Sequence, residues 1–180
     1  MSHRTLAELE QGLPPIVNSP RDAGAIALIV RRPEPGQREL LETAALDTAT
    51  GLVGDCWLGR GQSGGRPAHP EAQITIMNTS AVELIAGSSN RWALAGDQFY
   101  VDLDLSAANL PAGTRLELGS ALLEVTAKPH TGCKKFVERF GLDAMRFVNS
   151  DRGRSLNLRG VNARVLRGGT VRVGDTMRRV

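Results

Sequence analysis

Glycine and proline interrupt the chain 20 and nine times in 180 residues, and this punctuation limits what it can fold into. Glycine costs backbone entropy inside regular elements, and proline removes a backbone donor. Aromatics make up only 4% of the residues, so few large side chains are available to hold long helices together. The balance suits short strands and many turns better than a helical bundle.

The second half carries the clearest β pattern. QFYVDLDL (98–105) alternates, with Phe99, Val101, Leu103 and Leu105 on one face. TRLELGSALLEVTA (114–127) reads as two strands about a Gly119-Ser120 turn. GVNARVLRGGTVRVGDTMRRV (160–180) follows with a strand, a Gly168-Gly169 turn, a second strand and a Gly174-Asp175 turn. Earlier, AGAIALIVRRP (23–33) is a buried strand stopped by Pro33, and AQITIMN (72–78) is strand-like, whereas RELLETAAL (38–46) fits strand or helix.

Helical signals are short. Thr5 and Glu8 match a capping box, which predicts a helix near 5–11. SAVELIAG (80–87) reads as a helical turn with Ser80 as cap and Gly87 as stop. Beyond Cys133, Phe136, Val137, Phe140, Ala144, Phe147 and Val148 fall at helical spacing, with Gly141 weakening the middle. GRGQSGGRPAHP (59–70) is expected as an exposed loop. The inferred fold class is mainly β, a closed or nearly closed barrel with a few short helices. Residues 1–22 form an N-terminal extension with a short helix, and residues 23–180 form the domain.

Hydrophobic residues at 41% and charged residues at 23% are ordinary globular values. Two cysteines are too few for a disulfide framework, no apolar run of 18 residues occurs, and the polar start lacks the apolar core of a signal peptide. A cytoplasmic, reducing location with no membrane contact is the expectation. The net charge of +3 suits an anionic small ligand better than a nucleic acid, whose binding calls for exposed aromatics beside basic residues.

The segment KPHTGCKKF (128–136) places Cys133 among a glycine, two lysines and His130. If a helix starts at Cys133, its free N–H groups together with Lys134, Lys135 and His130 favour a thiolate. A thiolate suits persulfide chemistry or coordination of a transition metal, while a half-buried cysteine capping a barrel end fits the local sequence equally well. The run DRGRSLNLRGVNAR (151–164) gathers Arg152, Arg154, Arg159 and Arg164 near Asn157 and Asn162. Arginine forks bind oxyanions at two points and asparagine reads ring heteroatoms, although a solvated charged face is the commoner meaning of such a run. The Gly-Asp loops GLVGD (51–55), ending at Asp55, and GGTVRVGD (168–175) are tight turns or anion cradles. Cys56, His69 and Cys133 lack the spacing of a zinc site.

Taken together, GLVGD (51–55), LPAGTRLELGSALLEVTAKPHTGC (110–133) and RGVNARVLRGGTVRVGD (159–175) resemble the MOSC domain family, named after the C-terminal part of molybdenum-cofactor sulfurases. The resemblance covers roughly residues 23–178 and implies a β-rich barrel. It also implies the molybdenum cofactor (molybdopterin), with Cys133 carrying sulfur as a persulfide or ligating molybdenum. The cofactor-binding candidates are His130, Lys134, Arg154, Asn157, Arg159, Asn162, Arg164 and Asp55. A molybdenum-dependent reductase of N-hydroxylated compounds is one alternative, and a catalytically silent binding domain is another. Implied partners are the pterin cofactor or a small N-oxygenated substrate, together with a cysteine desulfurase or redox partner. PLP enters only through such a desulfurase. The sequence departs from the family at Gly132, where proline is frequent and where glycine loosens the loop. It departs again at Cys56-Trp57, where a basic residue or histidine is usual; the resemblance does not supply the anion contact expected there and leaves the second thiol unexplained.

Overall fold

The computed structural model describes residues 3–61 and 67–180. Helix α1 (Leu6–Gln11) begins at the predicted capping box, with Thr5 and Glu8 each satisfying the other's backbone N–H. A short α2 (Pro14–Val17) leads into β1 (Ala23–Arg31), β2 (Glu39–Leu41), β3 (Thr43–Asp47), β4 (Gly51–Leu52) and β5 (Ile74–Asn78). The ambiguous stretch 38–46 is therefore two strands. Helix α3 (Thr79–Ala86) is capped by the Asn78 side chain, not by Ser80, and stops at left-handed Gly87 as expected.

A 3-10 turn (Ser89–Ala95) precedes β6 (Phe99–Val101) and the hairpin of β7 (Arg115–Leu118) and β8 (Ala121–Val125). The helical run after Cys133 is split by Gly141, whose φ of 88° is a left-handed value, into α4 (Lys134–Phe140) and α5 (Leu142–Asn149). Then come α6 (Asp151–Ser155), β9 (Val161–Arg167), β10 (Gly169–Arg172) and β11 (Thr176–Arg179).

Seven strands close into a barrel in the order β11, β7, β8, β9, β5, β6, β1, with β1 returning to β11. Every neighbouring pair is antiparallel except β5–β6. The strand β10 does not pair with β9 across Gly168; it pairs with β3 in a separate three-stranded sheet completed by β4.

Alternate residues of the barrel strands feed two cores. Ile26, Ile76, Phe99, Val101, Leu103 and Leu105 fill the barrel, which realises the predicted one-sided face of 98–105. Val30, Met77 and Tyr100 point outward and pack with Leu9, Phe136, Phe140 and Phe147 beneath the helices. Strand β5 lies between these layers and is buried at all five positions. Each fully buried phenylalanine of the helical layer contributes about 1.5–3 kcal/mol, and Phe136 thereby fixes the start of α4, where Cys133 stands.

Candidate functional site

A cavity of about 1510 Å³ opens between the segment 128–139, the stretch following β1 and the loop following β4. Its wall depends on one backbone feature. The carbonyls at the end of a helical turn lack intrahelical partners. Here Ala93, Leu94, Ala95 and Gly96 each accept from a different arginine: Arg38 Nε at 3.0 Å, Arg139 Nη1 at 2.6 Å, Arg159 Nη2 at 2.8 Å and Arg32 Nη1 at 2.8 Å. All four guanidiniums line the cavity, with Lys128 and Lys135 beside them.

Two of these arginines are buried and have carboxylate partners. Arg32 forms a two-point ion pair with Asp55, whose Oδ1 also accepts from the Trp57 N–H at 2.9 Å. Arg159 meets Asp97 at 2.6 Å and lies 5.0 Å from the centre of the Phe136 ring. The adjacent Gly160 has a φ of 100°, and a Cβ there would collide with the Ile76 carbonyl, so the backbone carrying Arg159 sits tight against β5.

His130 completes the floor, its Nδ1 standing 3.5 Å from Asp97 Oδ1. Burial, and then the Arg159 charge, push its pKa down to about 3. His130 is therefore not one of the positive neighbours of Cys133 expected from the sequence; burial keeps it neutral. An unfolded histidine takes a proton near pH 6.5, so this group's contribution is complete above about that value and declines as pH falls toward about 3. His130→Gln is therefore expected to flatten the acid side of the stability profile. The difference should reach at most about 1.4 kcal/mol per pH unit in denaturant titrations between about pH 6 and about pH 4. Parallel profiles would contradict it.

The segment carrying His130 and Cys133 has no regular structure, and two asparagines hold it. Asn162 donates to the Lys128 carbonyl at 3.0 Å. Asn149 accepts from the Gly132 N–H at 2.9 Å and donates to the Gly132 carbonyl at 3.2 Å. A Cβ at position 132 would lie 3.0 Å from Val148 Cγ2 and 3.3 Å from Met145 Cγ. Gly132 therefore lets the loop close against α5 and supplies an N–H that proline lacks; it does not loosen the loop. Asn149→Ala is expected to cost about 1–3 kcal/mol and to speed exchange of the Gly132 amide. An unchanged exchange rate would show that the clamp is dispensable.

Cys133 is the N-cap of α4, exposed at the cavity rim, and its side chain makes no capping hydrogen bond. Of the other sequence candidates, His130, Asp55, Arg159 and Asn162 line this cavity, but Asp55 and Arg159 are already engaged with Arg32 and Asp97. The expected arginine cluster is dispersed. Arg164 faces outward and pairs with Glu124, while Arg154 and Asn157 line a second cavity of about 590 Å³. Asn157, with a φ of 47°, bonds the Leu105 carbonyl. Lys134 is exposed and Lys135 lines the cavity in its place. Cys56, His69 and Cys133 all line the large cavity, yet no three metal-binding side chains cluster among the described residues.

Sequence reasoning missed Arg32, Arg38, Asp97, Arg139 and Asn149. Only Arg32 left a usable signal, as a charge directly after an apolar strand; the others bind backbone or distant partners.

A family model for the MOSC domain matches residues 63–178. The chain belongs to the MOSC domain family. Its fold is shared with solved structures. The YuaD protein of Bacillus subtilis superposes with a TM-score of 0.59 at 17% identity, covering 86% of this chain and 94% of YuaD. YiiM from Geobacillus stearothermophilus gives 0.59 at 17% identity over 87% and 75% of the two chains. YiiM from Escherichia coli gives 0.57 at 19% identity over 87% and 69%. No curated protein sequence matches the chain. Within the MOSC barrel, no helix of the described residues is long and apolar enough to cross a membrane.

Proposed function

We propose that the large cavity binds the molybdenum cofactor, with Cys133 as the protein's thiolate on the metal, and that the loaded protein reduces small N-oxygenated compounds. The observation that carries this reading is an exposed thiol at the rim of a cavity of about 1510 Å³ walled by four arginines. Small-molecule sites occupy about 300–1000 Å³, so this volume admits a cofactor and a substrate side by side.

The residues present fit such a group. Its anionic end suits Arg38, Arg139, Lys128 and Lys135 at the cationic wall. The Trp57 indole N–H and Arg159 Nε are buried without a hydrogen-bond partner among the described residues, leaving donors unused beside the cavity. A metal that arrives with most of its ligands needs only one protein thiolate, and Cys133 provides one. When bound, the cofactor supplies two-electron redox chemistry. The chain's own residues bind its anionic end and fix Cys133 through the Asn149 clamp.

The exposure of Cys133 also suits a persulfide carrier that receives sulfur from a desulfurase. Metal analysis and cyanide-releasable sulfur, measured on protein from a molybdenum-replete host, separate the two readings. Molybdenum stoichiometric with the chain supports the reductase. Labile sulfur without molybdenum supports the carrier, and the absence of both leaves neither.

A further inference from the structure

Two buried polar atoms at the cavity floor, His130 Nδ1 and Asp97 Oδ1, lie 3.5 Å apart, and neither has a hydrogen-bond partner among the described residues. The second Asp97 oxygen already receives Arg159 Nη1 at 2.6 Å. Two lone pairs facing each other away from water would both go unsatisfied, at a cost that native interiors avoid. At 3.5 Å the two atoms make no hydrogen bond here, but with a proton on Nδ1 a shift of ~0.5 Å would pair them. Hydrogen bonds of this type are often long before a ligand is bound.

The ring then has no proton on Nε2. Nδ1 is enclosed, yet the His130 side chain is 15% exposed and lines both the large and the second cavity, so the Nε2 edge is the part that meets them. The charged groups packed around the ring are Asp97, Arg159 and Arg32, and burial keeps the imidazole neutral among them. The carboxylates of Asp55 and Asp97 are already engaged by arginines, while Asn162 and Thr131 bring further side-chain oxygens to the cavity.

We propose that Asp97 locks His130 in its Nδ1–H tautomer, making Nε2 a fixed hydrogen-bond acceptor at the cavity, and that the ligand beside Cys133 presents an N–H or O–H to it. Asp97 is a positioning residue and His130 the group that touches the ligand. An N–H-bearing heterocycle with an anionic tail satisfies both sides, its anion on the arginines and its ring donor on His130. This ligand class rests on the cofactor reading above; the tautomer does not.

The first test needs no cofactor. The chain has three histidines, so nitrogen-15 long-range spectra with His130→Gln as the assignment control resolve this ring. A neutral Nδ1–H ring near neutral pH is expected, with a mixture of tautomers in Asp97→Asn. An Nε2–H ring or an imidazolium in the wild type overturns the lock, even if the variant fails to fold.

The second test titrates the cofactor-free chain with a fluorescent pterin carrying a phosphate tail and with its ring-N-methylated counterpart. The wild type is expected to bind the methylated compound at least about tenfold more weakly, and His130→Phe should lose this preference. Equal affinities overturn the acceptor role while sparing the cofactor reading. Binding of neither compound overturns that reading and the ligand class with it, and the spectra still decide the tautomer.

Discussion

Cys133→Ser is expected to fold as the wild type does and to lose whichever signal the wild type carries, labile sulfur or molybdenum with its reductase activity. The thiol is exposed and makes no capping hydrogen bond, so nothing in the fold depends on it. Serine is nearly the same size and is a favoured helix cap, so the melting temperature should hold or rise slightly. Its hydroxyl stays protonated at neutral pH, cannot hold a persulfide and is a poor ligand for a soft metal. Metal content, cyanide-releasable sulfur and a thermal melt on one preparation check the prediction. A variant that retains every signal would remove both the reductase and the carrier. Cys56→Ser is the matched control, with little change expected.

The largest expected effect on stability lies at Asp97. Its carboxylate is fully buried and supports both Arg159 and His130. Asp97→Ala leaves a guanidinium buried against Phe136 with no counter-charge, which costs about 3–5 kcal/mol. That is a large part of the roughly 5–15 kcal/mol that holds a typical domain together. The double variant Asp97→Ala/Arg159→Met should regain much of the loss, because removing both charges removes the uncompensated one. Urea unfolding of the two variants makes the comparison. A single variant within about 1 kcal/mol of the wild type would mean that water reaches Arg159 when its partner is gone.

What the sequence revealed was mostly local. The Thr5–Glu8 capping box, the Gly119-Ser120 hairpin, the break at Gly141 and the one-sided face of Phe99, Val101, Leu103 and Leu105 all act within a few residues. Pairings between distant segments were not legible. Nothing in GGTVR says that Gly169–Arg172 will leave β9 and join β3. The arginine run failed for a related reason. Arg154 belongs to α6, Arg159 is drawn inward by Asp97, and Arg164 projects outward from β9 toward Glu124. Proximity along the chain therefore did not become proximity in space. The glycine-broken, lysine-flanked setting that singles out Cys133 is itself local, whereas the Asn149 clamp reaches across 17 positions.

The arginines of the cavity wall reach it from positions 32, 38, 139 and 159, and they converge on four consecutive peptide carbonyls. Carbonyls are common to all residue types, so the anchor is encoded by the length of the turn more than by its side chains. Leu94, with its side chain partly in solvent, can change without disturbing the oxygen that Arg139 grips. Inserting or deleting a single residue between Ser89 and Gly96 would shift every oxygen by one place and misdirect four guanidiniums at once. Among relatives that keep this cavity, exposed positions such as Leu94 should vary in residue type, while left-handed Gly96 and the length of the turn should hardly vary at all.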